Sequence, residues 1–327
     1  MLVDIVCSEV NMIAYMRRKR RNRPPFDFSD EQFLAHNDLL DIVYDEIRFR
    51  NGTAYANDVD LSTVDAMFFR SVGREYDIVS RLVDIAIANN IPVVDEYLLD
   101  KAFDRSKEHM ADVLAEHNIN HPPHISLMGL EGIAYNTSDR FTYAPWFEYP
   151  VIAKFSTGGR GGYGTFFIQE QHDFIRVTEL LNDRFAARHE RDEDDVPWHA
   201  YGGDWPFVIQ QYIPNEGDYR AVVVGYECIG ITKRRSKNGH LVMCTSEGNS
   251  RRFKNNRWPR DVGAVAEQAA RAMKVQFAGV DLVRHSETGE IYVIEVNEAP
   301  SFKFFQKRTK IPVASVVVDY IRGLTNG

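Results

Sequence analysis

Val151-Ile152-Ala153-Lys154, then Phe155-Ser156-Thr157 and Gly158-Gly159-Arg160-Gly161-Gly162-Tyr163-Gly164-Thr165, is the stretch on which the fold turns. It reads as a strand carrying one lysine that runs into a glycine-dense turn. Glycine permits positive φ and lets backbone N–H groups approach an anion with no Cβ in the way, and a lysine on the preceding strand adds a fixed positive charge. That combination suits the phosphates of a nucleotide. The plain alternative is a surface loop, and the spacing is not that of a P-loop, because no Gly-Lys-Ser/Thr follows.

Working outward, Gly279-Val280-Asp281-Leu282-Val283-Arg284 and Ile291-Tyr292-Val293-Ile294-Glu295-Val296-Asn297 alternate like two strands around Ser286-Glu287-Thr288-Gly289-Glu290. A three-residue loop of Glu287, Thr288 and Gly289, with Gly289 left-handed, sets Asp281 opposite Glu295. Asn297 then shares the face of Glu295, since strand side chains alternate. Two carboxylates and an amide oxygen on an otherwise apolar hairpin resist burial unless something cationic compensates them. Hard oxygen ligands of this kind suit magnesium.

Between these blocks lie three further strand-like runs: Phe207-Val208-Ile209-Gln210-Gln211-Tyr212-Ile213, Asp218-Tyr219-Arg220-Ala221-Val222-Val223-Val224 and Ile229-Gly230-Ile231-Thr232-Lys233-Arg234-Arg235. By parity Asp218 and Arg220 share one face, as do Lys233 and Arg235, which predicts a basic strip able to meet phosphate or carboxylate. An exposed face of ordinary charge pairs is the alternative.

In this order the three blocks resemble the ATP-grasp superfamily, and within it the ribosomal-protein glutamate ligase (RimK-like) group of carboxylate-amine ligases, from about Asp100 to the end. The resemblance implies an α/β, ATP-grasp architecture with ATP between the last two of three units. These are an N-terminal α/β domain over 1–99, a central lid subdomain over 100–205 and a C-terminal subdomain with the metal site over 206–327. It implies that Lys154 and the lid glycines Gly158, Gly159, Gly161, Gly162 and Gly164 hold ATP, and that Gln210, Gln211, Tyr212 and Ile213 form the strand whose backbone holds adenine. Asp218 would approach the ribose, with Lys233 also at ATP, while Arg220 and Arg235 would approach phosphate or the acyl group as catalytic residues. Asp281, Glu295 and Asn297 match the metal triad, for two magnesium ions with manganese as an alternative. Lys107 falls where the first ATP lysine stands, on a helix that Asp104 is expected to cap.

Two segments depart from the family pattern. Where the glutamate ligases carry an Arg-Ser-Asn type segment, this chain reads Thr245-Ser246-Glu247-Gly248-Asn249-Ser250-Arg251-Arg252, so Asn249 and Arg251 are the candidate substitutes at the substrate. After the metal asparagine it continues Glu298-Ala299-Pro300-Ser301-Phe302, along the border of the family's acceptor site. The implied activity is ATP-dependent amide or peptide bond formation through an acyl phosphate, between a carboxylate-bearing small molecule or peptide and an amine. A phosphotransferase and a nucleotide-responsive binding protein without turnover stay open as alternatives. The group also allows a homo-oligomer.

The first third reads as a small parallel α/β unit, with strands at Leu2 to Cys7, Ala66 to Arg70 and Ile91 to Asp95 and a helix between the last two. Functional residues gather at the C-terminal ends of such strands, which singles out Arg70; ligases of this resemblance place a substrate arginine there. The alternative for Arg70 is a surface ion pair. The basic run Arg17-Arg18-Lys19-Arg20-Arg21, with Arg23, reads as a solvated helix end or loop, or as a dock for an acidic segment.

The 327 residues, 44% of them hydrophobic, can bury the core of two or three subdomains. A net charge of −8 argues against general nucleic-acid binding. Cys7, Cys228 and Cys244 are too scattered for a disulfide framework or zinc site. The charge-dense stretch from Arg188 to Asp195 reads as an exposed insertion, with His189 and His199 as solvent groups. No apolar run of membrane-span length occurs, and the first residues carry acids where a signal peptide has bases, so the expected location is the cytoplasm with no membrane partner.

Overall fold

A computed structural model of the chain describes residues 12–19, 28–70, 72, 75–101, 104, 106–128, 148–156, 165–188, 206–234, 250–253 and 257–325. The expected strand at Leu2 to Cys7, Cys244, His189 and His199 lie outside them.

The N-terminal unit is built on a parallel sheet of β1 (Ile13–Arg17), β2 (Leu39–Val43), β6 (Ala66–Phe69) and β7 (Val93–Val94), in the order β2-β1-β6-β7. Helices α1 (Phe28–Phe33) and α2 (Tyr76–Ala88) accompany it. Every residue of β1 and of β6 is buried, as befits strands covered on both faces. β1 is an element the sequence reading missed. The basic run beside it is not a free dock at its start: Arg17 is buried, with Nε 2.6 Å from Asp41 Oδ1 and Nη2 2.8 Å from Oδ2, and Arg18 lies 3.2 Å from Glu75. Arg20 to Arg23 lie outside the described residues. A side sheet of β3 (Arg48–Arg50), β4 (Thr53–Ala56) and β5 (Val59–Asp60) turns at Asn51-Gly52 and Asn57-Asp58, all at positive φ, as two-residue hairpin turns require.

The central antiparallel sheet comprises β8 (His124–Met128), β9 (Val151–Phe155), β10 (Thr165–Ile168) and β11 (Pro206–Gln211), in the order β10-β9-β11-β8. Phe174 and Val177 of α4 (Gln171–Arg188) close its core with Val151, Ala153, Phe155 and Ile168. β11 pairs with β8 and β9, so the central sheet runs beyond the 205/206 boundary read from sequence. Arg188, read as the start of an exposed insertion, is the last residue of α4, and 189–200 lie outside the described residues. Before this sheet, α3 (Lys107–Glu116) starts at Ser106, whose hydroxyl accepts from His109 N at 3.1 Å. Asp104, the expected cap, instead accepts from Ser106 N and Oγ at 2.9 and 2.7 Å, because Ser106 holds the position from which a side chain reaches the third amide.

The C-terminal antiparallel sheet has the order β14-β13-β12-β15-β16, from β12 (Asp218–Val224), β13 (Glu227–Arg234), β14 (Ser250–Arg252), β15 (Phe277–Arg284) and β16 (Ile291–Asn297). One face packs on α5 (Arg260–Ala272) through Val262, Ala266 and Ala269 against Ala221, Val223 and Val280. On the other face, α6 (Lys303–Thr309) and α7 (Val313–Thr325) join Val222, Val224 and Phe277 to the parallel sheet. Phe33, Phe68, Phe277 and Phe302, with ring centroids 5.3–6.2 Å apart, weld these units into one core.

Two irregularities set the register of this sheet. Asp281 does pair with Glu295, and Gly289 is left-handed at φ +76, but the loop differs from the expected three residues. His285 N donates to Glu290 O and Gly289 N to His285 O, which makes the loop 286–289. That longer loop alone would move every pair by one residue. A shift between Asp281 and Leu282, with Ile294 as the extra residue, restores the Asp281–Glu295 pair. A second shift, between Val222 and Val223, leaves Ile229 as the extra residue of β13. Among the described residues no helix is long and apolar enough to cross a membrane.

Candidate active site

The site is assembled from four elements. α3 brings Lys107, whose backbone N donates to Ser156 O at 3.0 Å, tying the helix start to the end of β9. β9 brings Lys154, buried between Val208 and Thr165 on its flanking strands. β15 and β16 bring Asp281, Glu295 and Asn297. Lys107 Nζ stands 3.8 Å from Glu295 Oε1. Burial pushes the Lys154 ammonium down to about 8; Glu295 and Asp281 draw it back up, and Lys107 presses it down further.

Asn297 Nδ2 donates to Gly279 O at 3.1 Å and lies 3.4 Å from Glu295 Oε2, which turns the amide oxygen away from those two acceptors. Two carboxylates and an amide oxygen are a donor set fit for a hard divalent cation. Among the described residues no group of three or more His, Cys, Asp or Glu could hold a metal.

The basic groups beside the acids come from β12 and β13. Arg220 Nη1 lies 3.2 Å from Asp281 Oδ2 and donates to Gly279 O at 3.0 Å. Gly279 makes this approach feasible: a Cβ there would sit 2.7 Å from Pro300 Cβ and 3.0 Å from Arg220 Nη1. Arg234 Nη2 stands 2.6 Å from Asp281 Oδ1 and also bonds Asp218. Burial alone would lower its basicity, but Asp281 and Asp218 outweigh that and hold it above the ordinary arginine value.

Arg234 is the residue sequence reasoning missed, and Lys233 is the one it misplaced. Lys233 pairs with Tyr219 on the α5 side of the sheet, its Nζ 5.2 Å from the Tyr219 ring centroid and 3.8 Å from Glu216 Oε2, away from Asp281. A plain hairpin closed at Gly225-Tyr226 would set residue 233 opposite Asp218; the extra residue Ile229 sets Arg234 there instead. Arg235, Asn249 and the glycines Gly158, Gly159, Gly161, Gly162 and Gly164 lie outside the described residues. Arg251 lies on β14 opposite Lys233, and its side chain is not among those described. Gln210 and Gln211 end β11 beyond Val208, the partner of Lys154, and Tyr212 and Ile213 follow the strand.

Arg70 is no surface ion pair. It is buried at the C-terminal end of β6, with Nη2 donating to Pro300 O at 3.3 Å and Cζ 5.4 and 5.7 Å from the Phe277 and Phe33 ring centroids. Its Nε and Nη1 have no hydrogen-bond partner among the described residues. Pro300, through its packing on Gly279, links Arg70 to the Arg220 side of the site.

The RimK-like ATP-grasp domain model matches residues 104–321 of this chain. A probable alpha-L-glutamate ligase of Legionella pneumophila is 31% identical over 116 residues, which are 35% of this chain and 37% of the relative. Beta-citrylglutamate synthase B of Homo sapiens is 24% identical over 214 residues, 64% of this chain and 48% of that protein. The chain thus spans between about a third and a half of the length of these relatives. Among solved structures, a RimK domain ATP-grasp protein from Sphaerobacter thermophilus superposes with a TM-score of 0.61 at 18% identity, covering 94% of this chain and 98% of the other. At that identity the likeness is one of fold, and it supports the mixed α/β, ATP-grasp architecture read from the sequence.

Proposed function

The chain belongs to the RimK-like ATP-grasp family, and from that premise we propose that it is an ATP-dependent carboxylate-amine ligase, forming an amide or peptide bond with release of ADP and phosphate. The observation that carries this reading is the meeting of Lys107, Lys154 and Arg220 with Asp281, Glu295 and Asn297 across two sheets. Cations for a polyphosphate stand beside oxygen ligands for the metal that accompanies it. In this reading the units are an N-terminal α/β domain, a central subdomain extended to take in β11, and a C-terminal subdomain. ATP lies between the last two.

Lys107 and Lys154 hold phosphate oxygens, and Lys154, with its pKa at about 8, keeps its proton at neutral pH. The backbone from Gln210 to Ile213 meets adenine, and Gly158 to Gly164 cover the phosphates. Asp281, Glu295 and Asn297 would hold magnesium, two ions or manganese in its place, which when bound supplies charge neutralisation at the transferring phosphoryl group. A substrate carboxylate oxygen attacks the γ-phosphorus and ADP leaves. The amine nitrogen then attacks the acyl carbon, phosphate leaves, and the nitrogen gives up a proton. Arg220 faces the charge that develops on the acyl oxygen, and Arg235, the residue after Arg234, is the second catalytic arginine of this reading. Arg70, with two buried donors that no described residue meets and a route through Pro300 to Arg220, orients a substrate carboxylate.

The test is ADP release by the purified protein with Mg-ATP, a pool of amino acids and a fractionated extract of small molecules and peptides, with Glu295→Ala as the blank. Release that needs both a fraction and an amine supports the ligase. Release with a fraction alone, giving a phosphorylated product, would replace it with a phosphotransferase.

A further inference from the structure

Both oxygens of Asp281 are already engaged: Oδ1 by Arg234 at 2.6 Å and Oδ2 by Arg220 at 3.2 Å. Glu295 faces Lys107 at 3.8 Å. The cluster holds three acids, Asp218, Asp281 and Glu295, against four cations, Arg220, Arg234, Lys107 and Lys154, for a net charge of about +1 with all groups ionised. Asp218, Asp281, Arg220 and Arg234 all have side chains 17% exposed or less, so water screens these charges weakly. A free divalent cation arriving here meets a positive cluster whose acids are occupied.

Arg234 also has somewhere to go. Among the described residues its Nε and the Oδ1 of Asp218 are both buried without a hydrogen-bond partner, while Nη2 already bonds Asp218 Oδ2. A small rotation away from Asp281 would pair Nε and Nη2 with the two oxygens of Asp218 as a fork, the arrangement guanidinium and carboxylate favour. The same rotation frees Asp281 Oδ1. A polyphosphate supplies the drive for the other two pairs, because its oxygens compete for Arg220 and Lys107.

Resting on the reading of Asp281, Glu295 and Asn297 as cation ligands, we propose that Arg234 is a resident counter-cation at Asp281, a positioning residue that closes the site to a free divalent cation and makes cation uptake depend on the polyphosphate. Asp218 is then the receiving partner that lets Arg234 step aside.

Electron paramagnetic resonance of Mn2+, with and without the non-hydrolysable analogue AMPPNP, tests this on the full chain without any turnover. The native protein should bind Mn2+ weakly alone and much more tightly with AMPPNP. Arg234→Met should bind Mn2+ alone about tenfold more tightly and gain correspondingly less from AMPPNP. The charge-balanced pair Arg234→Met with Asp218→Asn guards against misfolding from an unpaired buried acid and should behave the same way. Unchanged or weaker binding of Mn2+ alone in both variants would overturn the proposal. Asp281→Asn should lower Mn2+ binding in the presence of AMPPNP; if it does not, the ligand reading itself fails, and the proposal with it.

Discussion

In the C-terminal sheet Asp281 is held by Arg220 of β12 and Arg234 of β13, whereas in the central sheet Lys154 is buried among strands that contain no aspartate or glutamate at all. The carboxylates that draw on Lys154 belong to β15 and β16. One sheet therefore pairs Asp218 and Asp281 with its own arginines and leaves Glu295 to reach Lys107, and the other leaves a cation to be met by carboxylates of the neighbouring sheet. A sheet can carry an uncompensated buried charge only at a cost, and that cost is recovered when an anion binds. On the proposed function, the side left unbalanced is the side that waits for the polyphosphate.

The hardest way to break this contrast is to remove the acid that reaches across. Glu295→Ala takes away both a proposed cation ligand and the partner of Lys107, and ADP release should fall on the order of 100- to 1000-fold, the scale of losing one aimed electrostatic group. Retention of normal turnover would overturn the site.

Lys154→Met removes the uncompensated cation itself. The fall from 10.5 to about 8 corresponds to about 3 kcal/mol of burial penalty. Since the folded value lies below the unfolded one, the unfolded chain holds the extra proton between pH 8 and 10.5, and stability rises with pH across that window. The penalty is in force below pH 8. Lys154→Met should therefore stabilise the ligand-free protein at pH 7 by about 1–3 kcal/mol, flatten that alkaline rise in urea titrations, and weaken AMPPNP binding. Loss of stability together with unchanged nucleotide binding would reverse the assignment.

Within the C-terminal sheet the expected effects come from packing and from a surface pair. Gly279→Ala places a Cβ against Pro300 and Arg220 and should cost about 1–3 kcal/mol in thermal or denaturant unfolding. It should also lower activity by displacing Arg220; an Ala variant as active as the native chain would show that the Arg220–Gly279 contact is dispensable. At the far end of β15, Arg284→Ala breaks the exposed 2.7 Å pair with Asp261 and should cost about 0.2–1 kcal/mol, a difference that salt erases. A larger, salt-insensitive loss would mean that this end of the strand is coupled to the site.

Much of the fold is legible in local pattern. The strands ending in Phe69 and at Val94, the helix Tyr76–Ala88, the lysine strand Val151–Phe155 and the final hairpin follow from alternation, helical spacing and turn residues. β1 was obscured because its apolar residues run straight into Arg17, Arg18 and Lys19, and a basic run ordinarily marks a solvated segment. Arg17 is buried because Asp41 meets it from the adjacent parallel strand, a partner that no local window contains. Arg70 was legible by position at the end of a strand, but its burial among Phe33 and Phe277, with two donors that no described residue meets, depends on packing between distant units.

The sequence by itself determined which chemical groups are available and which strands carry them: a lysine before a glycine-dense stretch, and two acids and an amide on one hairpin face. Side-chain alternation and the cost of burying charge are local rules, so these readings needed no long-range information. Tertiary structure decided the register. Ile294 as an extra residue keeps Asp281 opposite Glu295 despite a longer loop, and Ile229 as an extra residue sets Arg234, in place of Lys233, opposite Asp218. A bulge changes every pairing beyond it by one residue, and whether one forms is settled by what packs on the strand. At Gly230, beside Ile229, the Phe305 ring and Ile311 approach to where a side chain would stand, at 2.8 and 3.0 Å. That contact comes from the other end of the chain, and only the folded molecule contains it.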